Sequence, residues 1–176
     1  MTALVFPTLH RYPDWAACVE EFHGSYPHGS GLPEAPPLDS SPAAYATSVE
    51  RAFAFADTHS PAPDGWQHGD YLWITDGQEL LGFLRFTYEL NDSLLARGGH
   101  VGYSIRPSRR RQGHASRALG LAIERARARG IARVLVTCEE SNLASARVIE
   151  SQGGVRENAL EGLSRYWIVP PPAAPR

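Results

Sequence analysis

Residues 105–119, IRPSRRRQGHASRAL, combine five arginines with a glycine-bearing turn. Pro107 is expected to end a strand, and a helix is predicted to follow. Gly113 and Ala115 leave the backbone uncluttered, so that several N–H groups can point at one anion. The helix N-terminus adds unpaired donors and the positive end of its dipole. The stretch therefore predicts a site for a phosphate or a pyrophosphate.

The elements that must position this turn follow from hydrophobic periodicity and turn signals. Two helices are predicted in the loop-rich residues 1–70, at 12–23 and 42–57. From residue 70 onward the predicted order is β-β-β-α-β-α-β, an α/β mixed sheet with helices packed against it. These elements are strands at 70–77, 78–90 and 98–107, a helix at 115–130, a strand at 131–140, a helix at 141–154 with Ser141 as N-cap, and a strand at 163–170.

Composition and charge narrow the class of protein. The length of 176 residues favours one domain, here 1–170, with a disordered tail at 170–176. All 17 basic residues are arginine, yet the net charge of −2 and pI near 6.4 argue against a nucleic-acid binder. Neither a signal peptide nor a membrane span is expected, which favours a cytoplasmic protein. The spacing of Cys18, Cys138 and the histidines predicts no metal site.

The turn and its surroundings resemble a known family. Ile105-x-Pro107-x-x-Arg110-x-x-Gly113-x-Ala115 is similar to the acetyl-CoA signature, Arg/Gln-x-x-Gly-x-Gly/Ala, of the GNAT N-acetyltransferases. The likeness covers about 70–169 and is closest to a bacterial branch of predicted acetyltransferases. It continues through RVLVTCEE (133–140), NLASARVIESQGG (142–154) and RYWI (165–168). The resemblance implies a central twisted sheet with one splayed strand pair, and residues 1–70 on the acceptor side of an acetyl-CoA-binding core.

The resemblance also implies a set of cofactor contacts and no metal. Main-chain groups of Ser104, Ile105 and Arg106 would pair with the pantetheine arm of acetyl-CoA. Asn142 and Ser145 would lie near the thioester end. The pyrophosphate would be wrapped, mostly by backbone N–H groups, by Arg110, Arg111, Gln112, Gly113, His114, Ala115 and Ser116.

Acyl transfer from a thioester to an amine needs a neutral amine, donors for the carbonyl oxygen and a proton for the thiolate. The resemblance implies direct attack, with a backbone N–H near Ile105 as the oxyanion donor. Glu89 is the first candidate for the general base, and His100 and Tyr88 are alternatives.

The general acid departs from the family pattern. A tyrosine often stands seven residues after the helix asparagine, but counting from Asn142 reaches Ile149, which cannot donate. Tyr103 or Tyr166 could supply the proton instead.

The sequence therefore predicts an acetyl-CoA-dependent N-acetyltransferase acting on a primary amine of a small molecule or a protein. A non-catalytic acyl-CoA-binding module is the alternative, because Ile149 removes the usual acid. A nucleic-acid-binding domain is disfavoured by the net charge, and a homodimer is possible in this family.

Overall fold

Seven strands form one sheet in the order β1-β2-β3-β4-β5-β7-β6 in the computed structural model, which describes residues 1–33, 38–62 and 66–172. The strands are β1 (Ala3–Val5), β2 (Gly69–Thr75), β3 (Leu80–Thr87), β4 (Val101–Ile105), β5 (Val134–Glu139), β6 (Val155–Leu160) and β7 (Leu163–Ile168). The helices are α1 (Tyr12–Glu20), α2 (Pro42–Ala56), α3 (Asp92–Ala96), α4 (His114–Ala128) and α5 (Leu143–Ser151). Every strand pair is antiparallel except β4 with β5.

The two faces of the sheet bury different helices. On one face, here the α4 face, Leu84, Val101 and Val136 pack with Leu119 and other apolar residues of α4, and α5 covers the same face. On the opposite face, the α1 face, α1 and α2 bring an aromatic cluster onto β2 and β3. Because successive strand residues point to opposite faces of the sheet, the inner strands contribute side chains to the packing on both faces.

The central feature of the sheet is the separation of β4 from β5. These parallel strands are joined in register at one pair, Val101 with Val136, and diverge beyond it. β4 keeps its pairing to β3 along its whole length, from Val101 to Ile105. The edge of β4 that faces β5 is therefore left unpaired by the sheet over most of the strand.

The predicted α/β mixed sheet is confirmed, with three elements missed. β1, α3 and β6 were not predicted: β1 and α3 are only 3 and 5 residues long, and every residue of β6 is exposed, so no alternation marks it. The N-cap prediction was wrong by one residue. Asn142, not Ser141, caps α5, because its Oδ1 accepts a hydrogen bond from the Ser145 N–H at 3.0 Å. Residues 173–176 of the predicted tail lie outside the described residues.

The N-terminal third packs onto the sheet through its aromatic residues. Trp15 of α1 and Tyr45 of α2 are buried against each other and against Trp73 of β2. The loop between these helices contacts β4: a Cβ at Gly29 would lie 2.4 Å from the Gly102 carbonyl oxygen. None of the helices in the described ranges is long and apolar enough to cross a membrane.

Candidate active site

The unpaired edge of β4 can be assigned residue by residue. The Arg106 N–H donates to the Leu81 carbonyl of β3 at 2.8 Å, and the His100 carbonyl accepts from Thr87 at 2.7 Å. Main-chain groups alternate in direction along an antiparallel strand. The main-chain groups of Gly102 and Ser104, the His100 carbonyl and the Arg106 N–H therefore face β3, and the intervening Tyr103 and Ile105 direct their N–H and C=O groups toward β5.

This direction corrects two predicted pantetheine contacts. Main-chain groups of Ser104 and the Arg106 N–H are turned toward β3, and the Arg106 carbonyl accepts from the Arg109 N–H at 3.0 Å. The Ser104 hydroxyl donates to the His28 carbonyl at 2.8 Å. Ile105 remains on the open edge, where its carbonyl accepts from Arg110 Nε at 3.0 Å. The sequence predicted the strand correctly but not which of its residues direct their main-chain groups toward β3, because the register with β3 depends on contacts distant in sequence.

The turn after β4 presents a run of main-chain N–H groups that could bind an anion. A 3₁₀ turn at Pro107–Arg109 leads to Arg111 at φ +60° and Gly113 at φ +78°, and α4 then begins at His114. Within the described residues, the N–H groups of 111–116 donate to no main-chain carbonyl. Consecutive free N–H groups at a helix N-terminus form an anion-binding concavity. The assignment of this turn, which includes Gln112, Ala115 and Ser116, to a phosphate stays a prediction that this run of N–H groups favours.

Side chains brace this turn. Arg117 Nη2 donates to the Gln112 carbonyl at 2.6 Å, and Arg117 Nε donates to Thr2 Oγ1 at 2.9 Å. His114 Nδ1 lies 3.0 Å from the same Thr2 hydroxyl, so this ring is engaged with the N-terminus. Burial and the neighbouring Arg117 charge lower the pKa of His114. The Nδ1 atom of His114 is thereby engaged within the protein, and its main-chain N–H has no main-chain acceptor in the described part of the chain.

Arg106 has a structural role that sequence reasoning missed. Its side chain is only 7% exposed and donates to the carboxylates of Glu21 and Glu79 and to the Leu80 carbonyl. Glu21 also accepts the Ser108 N–H at 3.1 Å. Glu21, one residue beyond α1, thus connects the N-terminal helix to the first residues of the phosphate turn.

Replacing Glu21 by glutamine is expected to destabilise the protein in a pH-dependent way. Burial alone would raise the pKa of Glu21, but hydrogen bonds from Arg106 and Ser108 and the Arg106 charge lower it from 4.5 to about 2. Glu21→Gln leaves a buried guanidinium partly unpaired and should cost about 2 kcal/mol at pH 7, since Glu79 remains as a partner. A depressed carboxyl pKa stabilises the fold above the unfolded value and loses that contribution as pH falls through the folded value.

The measurement is urea unfolding of wild type and Glu21→Gln at pH 7, 4 and 3. The difference in unfolding free energy should shrink by about half or more between pH 7 and pH 3. Glu20→Gln is the matched control, because the carboxylate of that exposed neighbour accepts a hydrogen bond from Ser40 and forms no ion pair within the described residues. A Glu21→Gln deficit that stays constant over this range would contradict the ion-pair assignment.

Three polar side chains meet where β4, β5 and α5 converge on the α4 face. Tyr103 Oη lies 3.0 Å from Ser145 Oγ, and the Ser145 hydroxyl also hydrogen-bonds to the Cys138 thiol. Burial raises the pKa of Tyr103 to about 12, although the Ser145 hydrogen bond acts in the opposite direction. Tyr103 therefore stays protonated at neutral pH. Asn142 fixes the position of Ser145 by capping α5. The hydroxyl pair of Tyr103 and Ser145 lies beside the gap, which is the opening between β4 and β5 beyond the Val101–Val136 pair.

The structure does not bring Glu89 to this hydroxyl pair. Tyr103 is opposite Leu84 on β3, and Glu89 follows five residues later, beyond the end of the strand. A strand rise of 3.3 Å per residue puts that separation at about 16 Å. Glu89 is exposed on the far side of the Val101–Val136 pair from the gap.

His100 holds the two strands together just before they diverge. Its N–H donates to the Leu135 carbonyl at 2.8 Å, and its Nδ1 accepts from the Leu135 N–H at 2.9 Å. Burial lowers the pKa of His100 to about 4, so the ring is neutral at pH 7. A ring nitrogen that already accepts a main-chain hydrogen bond is not available as a base, which makes His100 a structural residue.

The remaining tyrosines also lie away from the open edge of β4. Tyr88 donates its hydroxyl to the fully buried Asp70, which Arg125 also contacts at 2.5 Å. Tyr166 is buried in β7, where it lines a surface cavity of about 350 Å³ between α5 and the β6–β7 hairpin. Ile149 is fully buried one turn after Ser145, so no donor occupies its position. Of the candidate acids, Tyr103 is the one that the structure joins to Ser145.

These features describe a class of protein with an open strand edge that runs from two hydroxyl groups to a helix N-terminus, an arrangement that suits an extended ligand with phosphate groups at one end. Among the described residues, no group of three or more His, Cys, Asp or Glu is arranged to hold a metal ion.

Comparison with known proteins gives the family. Residues 39–153, more than half of the chain, match the acetyltransferase (GNAT) family. The chain belongs to the GNAT family of acetyltransferases, which confirms the resemblance found in the sequence. No curated protein sequence matches it.

Solved structures share the fold at low sequence identity. The microcin C7 self-immunity acetyltransferase MccE, in complex with acetyl-CoA and AMP, is 14% identical with a TM-score of 0.69, covering 96% of this chain and 92% of that one. RimL, a ribosomal L7/L12 alpha-N-protein acetyltransferase, is 18% identical in its coenzyme A complex, with a TM-score of 0.69 and coverage of 96% and 93%. Mycobacterium smegmatis RimJ with CoA-disulfide is 15% identical, with a TM-score of 0.69 and coverage of 96% and 81%.

Proposed function

We propose that this GNAT protein transfers the acetyl group of acetyl-CoA to a primary amine by direct attack in a ternary complex. The observation that carries the proposal is the open edge of β4 running from the hydroxyl pair of Tyr103 and Ser145 to the phosphate turn. The pantetheine arm would pair with the main chain of Tyr103 and Ile105. The pyrophosphate would bind the N–H groups of 111–116, with Arg110 and Arg111 adding positive charge.

The bond changes follow from this placement. The amine nitrogen attacks the thioester carbonyl carbon, a C–N bond forms, and the C–S bond breaks to release the CoA thiolate. An N–H on the open edge of β4 stabilises the carbonyl oxygen as it becomes negative. Ser145 lies beside the leaving sulfur and, relayed by the Tyr103 phenol, supplies the proton that the thiolate needs. This pair replaces the tyrosine that Ile149 excludes.

The acceptor amine would enter from the α1 face, because α4 and α5 cover the other one. Cys138 packs on the α4 face, so strand alternation assigns the next residue, Glu139, to the α1 face at the end of β5. Glu139 also borders the cavity between α5 and the β6–β7 hairpin, and its Oε2 accepts from Ser141 Oγ at 3.5 Å. Glu139 is exposed and lies on the part of β5 that has separated from β4. We assign Glu139, in place of Glu89, the role of accepting the amine proton, directly or through water.

The test is thiol release from acetyl-CoA with a broad panel of primary amines and peptide N-termini. Amine-dependent release of free CoA, with an acetylated product of the expected mass, would support the proposal. Tight CoA binding without turnover on any amine would contradict it and would favour the non-catalytic alternative.

A further inference from the structure

Two arginines flank the gap on the α1 face. Arg85 of β3 is opposite Gly102 of β4, and Arg165 of β7 is opposite Thr137 of β5. Both pairs lie one residue beyond Val101–Val136, the level at which β4 and β5 begin to separate. Each arginine is thus one strand, about 5 Å, from the edge of the gap, with only a small residue in between.

Neither guanidinium is fully paired by the described part of the chain. Arg85 Nη2 donates to the carbonyls of Gly98 at 3.2 Å and Gly99 at 3.4 Å, and no described carboxylate forms an ion pair with it. Arg165 Nη2 lies 3.4 Å from Glu157 Oε2, and its side chain is only 15% exposed. Nη1 of both arginines has no hydrogen-bond partner in the described ranges.

Unpaired buried donors cluster on this same face. The described residues contain three buried side-chain donors without a partner: Arg85 Nε, Arg165 Nε and Trp167 Nε1. Trp167, two residues after Arg165 on β7, shares its face, and Arg133 stacks on its ring at 4.4 Å. A cation removed from water without full compensation is costly, and an anion that approaches it recovers part of that cost.

The surroundings of the two arginines on this face are loop main chain and one exposed ion pair. Two loops border this place: Gly98 donates its N–H to Thr137 Oγ1 at 3.1 Å, and Gly29 packs against the Gly102 carbonyl from the other side. Arg97 and Glu161 neutralise each other at the exposed rim. Gly102 has no side chain to fill the space between the loops.

We propose that the acceptor amine carries an anionic group, a carboxylate or a phosphate, which Arg85 and Arg165 bind on the α1 face. The inference rests on the proposed acetyl transfer and names the class of acceptor for that site. A planar guanidinium forms paired, charge-assisted hydrogen bonds with either anion. The anion at this level places the amine further along the gap, toward the thioester and Glu139. Arg85 and Arg165 are therefore specificity-determining residues.

Matched acceptors that differ in one charge test this assignment. The pairs are an amino acid and its amide, O-phosphoethanolamine and ethanolamine, and peptides that begin Ala-Asp or Ala-Asn. Wild type should acetylate the anionic member of at least one pair with a kcat/KM about tenfold higher or more, equal to about 1.4 kcal/mol. Which pair shows the preference identifies the source of the anion.

Variants connect that preference to the two side chains. Arg165→Gln should remove the preference mainly through KM of the anionic acceptor, and Arg165→Lys should keep part of it. Arg85→Gln should also remove it, whereas Arg127→Gln should leave it unchanged, because Arg127 pairs with Glu124 on the exposed side of α4. CoA affinity should be unaltered in all four variants, and thermal unfolding checks that each one is folded.

Two results would overturn the inference while leaving the acetyltransferase intact. One is efficient acetylation of neutral amines with no anionic member preferred. The other is a full anionic preference in folded Arg165→Gln and Arg85→Gln. Failure to acetylate any amine would instead contradict the proposed function, and the inference with it.

Discussion

Gly113→Glu should weaken CoA binding by at least about 100-fold, which corresponds to about 3 kcal/mol. Gly113 has φ +78°, and a Cβ there would lie 2.9 Å from Nη1 of Arg117. A glutamate side chain therefore displaces Arg117 from its hydrogen bond to the Gln112 carbonyl. It also adds a carboxylate where consecutive N–H groups are placed to receive a phosphate. Isothermal titration with CoA measures the loss.

The structure offers a matched control at the other end of the same helix. Gly130 has φ +73°, and nothing lies within 4 Å of a Cβ placed on it. Gly130→Glu carries a similar backbone strain, about 1–2 kcal/mol, without touching the phosphate turn. Both variants should lose similar stability without ligand, and only Gly113→Glu should lose the thermal stabilisation that CoA gives. Equal CoA affinity in the two variants would rule out the turn as the pyrophosphate site.

Tyr103→Phe and Ser145→Ala should each lower kcat by about 100-fold, the lower end of the usual effect of a positioned proton donor. The reason is their shared hydrogen bond of 3.0 Å, which holds one donor chain beside the leaving sulfur. Because the two hydroxyls act as a unit, the double variant should be little worse than either single variant. The Kd of CoA should change by less than threefold, since main-chain groups carry the cofactor.

Steady-state kinetics with any accepted amine measures this effect. Ser145→Thr keeps a hydroxyl and should recover much of the lost rate. Ser151→Ala is the control on the same helix, because the Ser151 hydroxyl only donates to the Val148 carbonyl. Additive losses in the double variant, or wild-type kcat in either single variant, would show that the thiolate takes its proton from elsewhere.

Local sequence signals were enough to predict the backbone of the turn between β4 and α4. The proline that ends β4, the signature arginine, the glycine and the start of α4 lie within a few residues of one another. Proline and glycine restrict or permit particular backbone angles, so the geometry of the turn follows directly from them. The long helices and inner strands were also predictable, because their apolar residues recur at helical or strand spacing. β6 was not, since an exposed edge strand such as VRENAL has no buried side to impose a pattern.

The side chains proposed for catalysis and those that brace the site were harder to predict because they meet through distant contacts. Tyr103 and Ser145 are 42 residues apart, and Arg106 meets Glu21 across 85 residues. Nothing near His100 in the chain indicates that its ring replaces a carbonyl in the sheet. The departure at Ile149 was the useful signal, since it indicated a donor elsewhere, Tyr103 or Tyr166, and Tyr103 is the one that hydrogen-bonds to Ser145.

The histidine seam between β4 and β5 has a mechanical consequence. On the His100 side of the Val101–Val136 pair, the His100 ring and main chain hydrogen-bond to β5, and on the other side β4 and β5 share no residue pair. The strands of the sheet thus fall into two groups, with β5, β6 and β7 forming the smaller unit and few contacts between β4 and β5 joining the two within the sheet. Acetyl-CoA bound between the units would bridge β4 and β5 over the length at which the two strands are unpaired. The substrate that supplies the acetyl group would then also determine how rigidly the two halves of the enzyme are held.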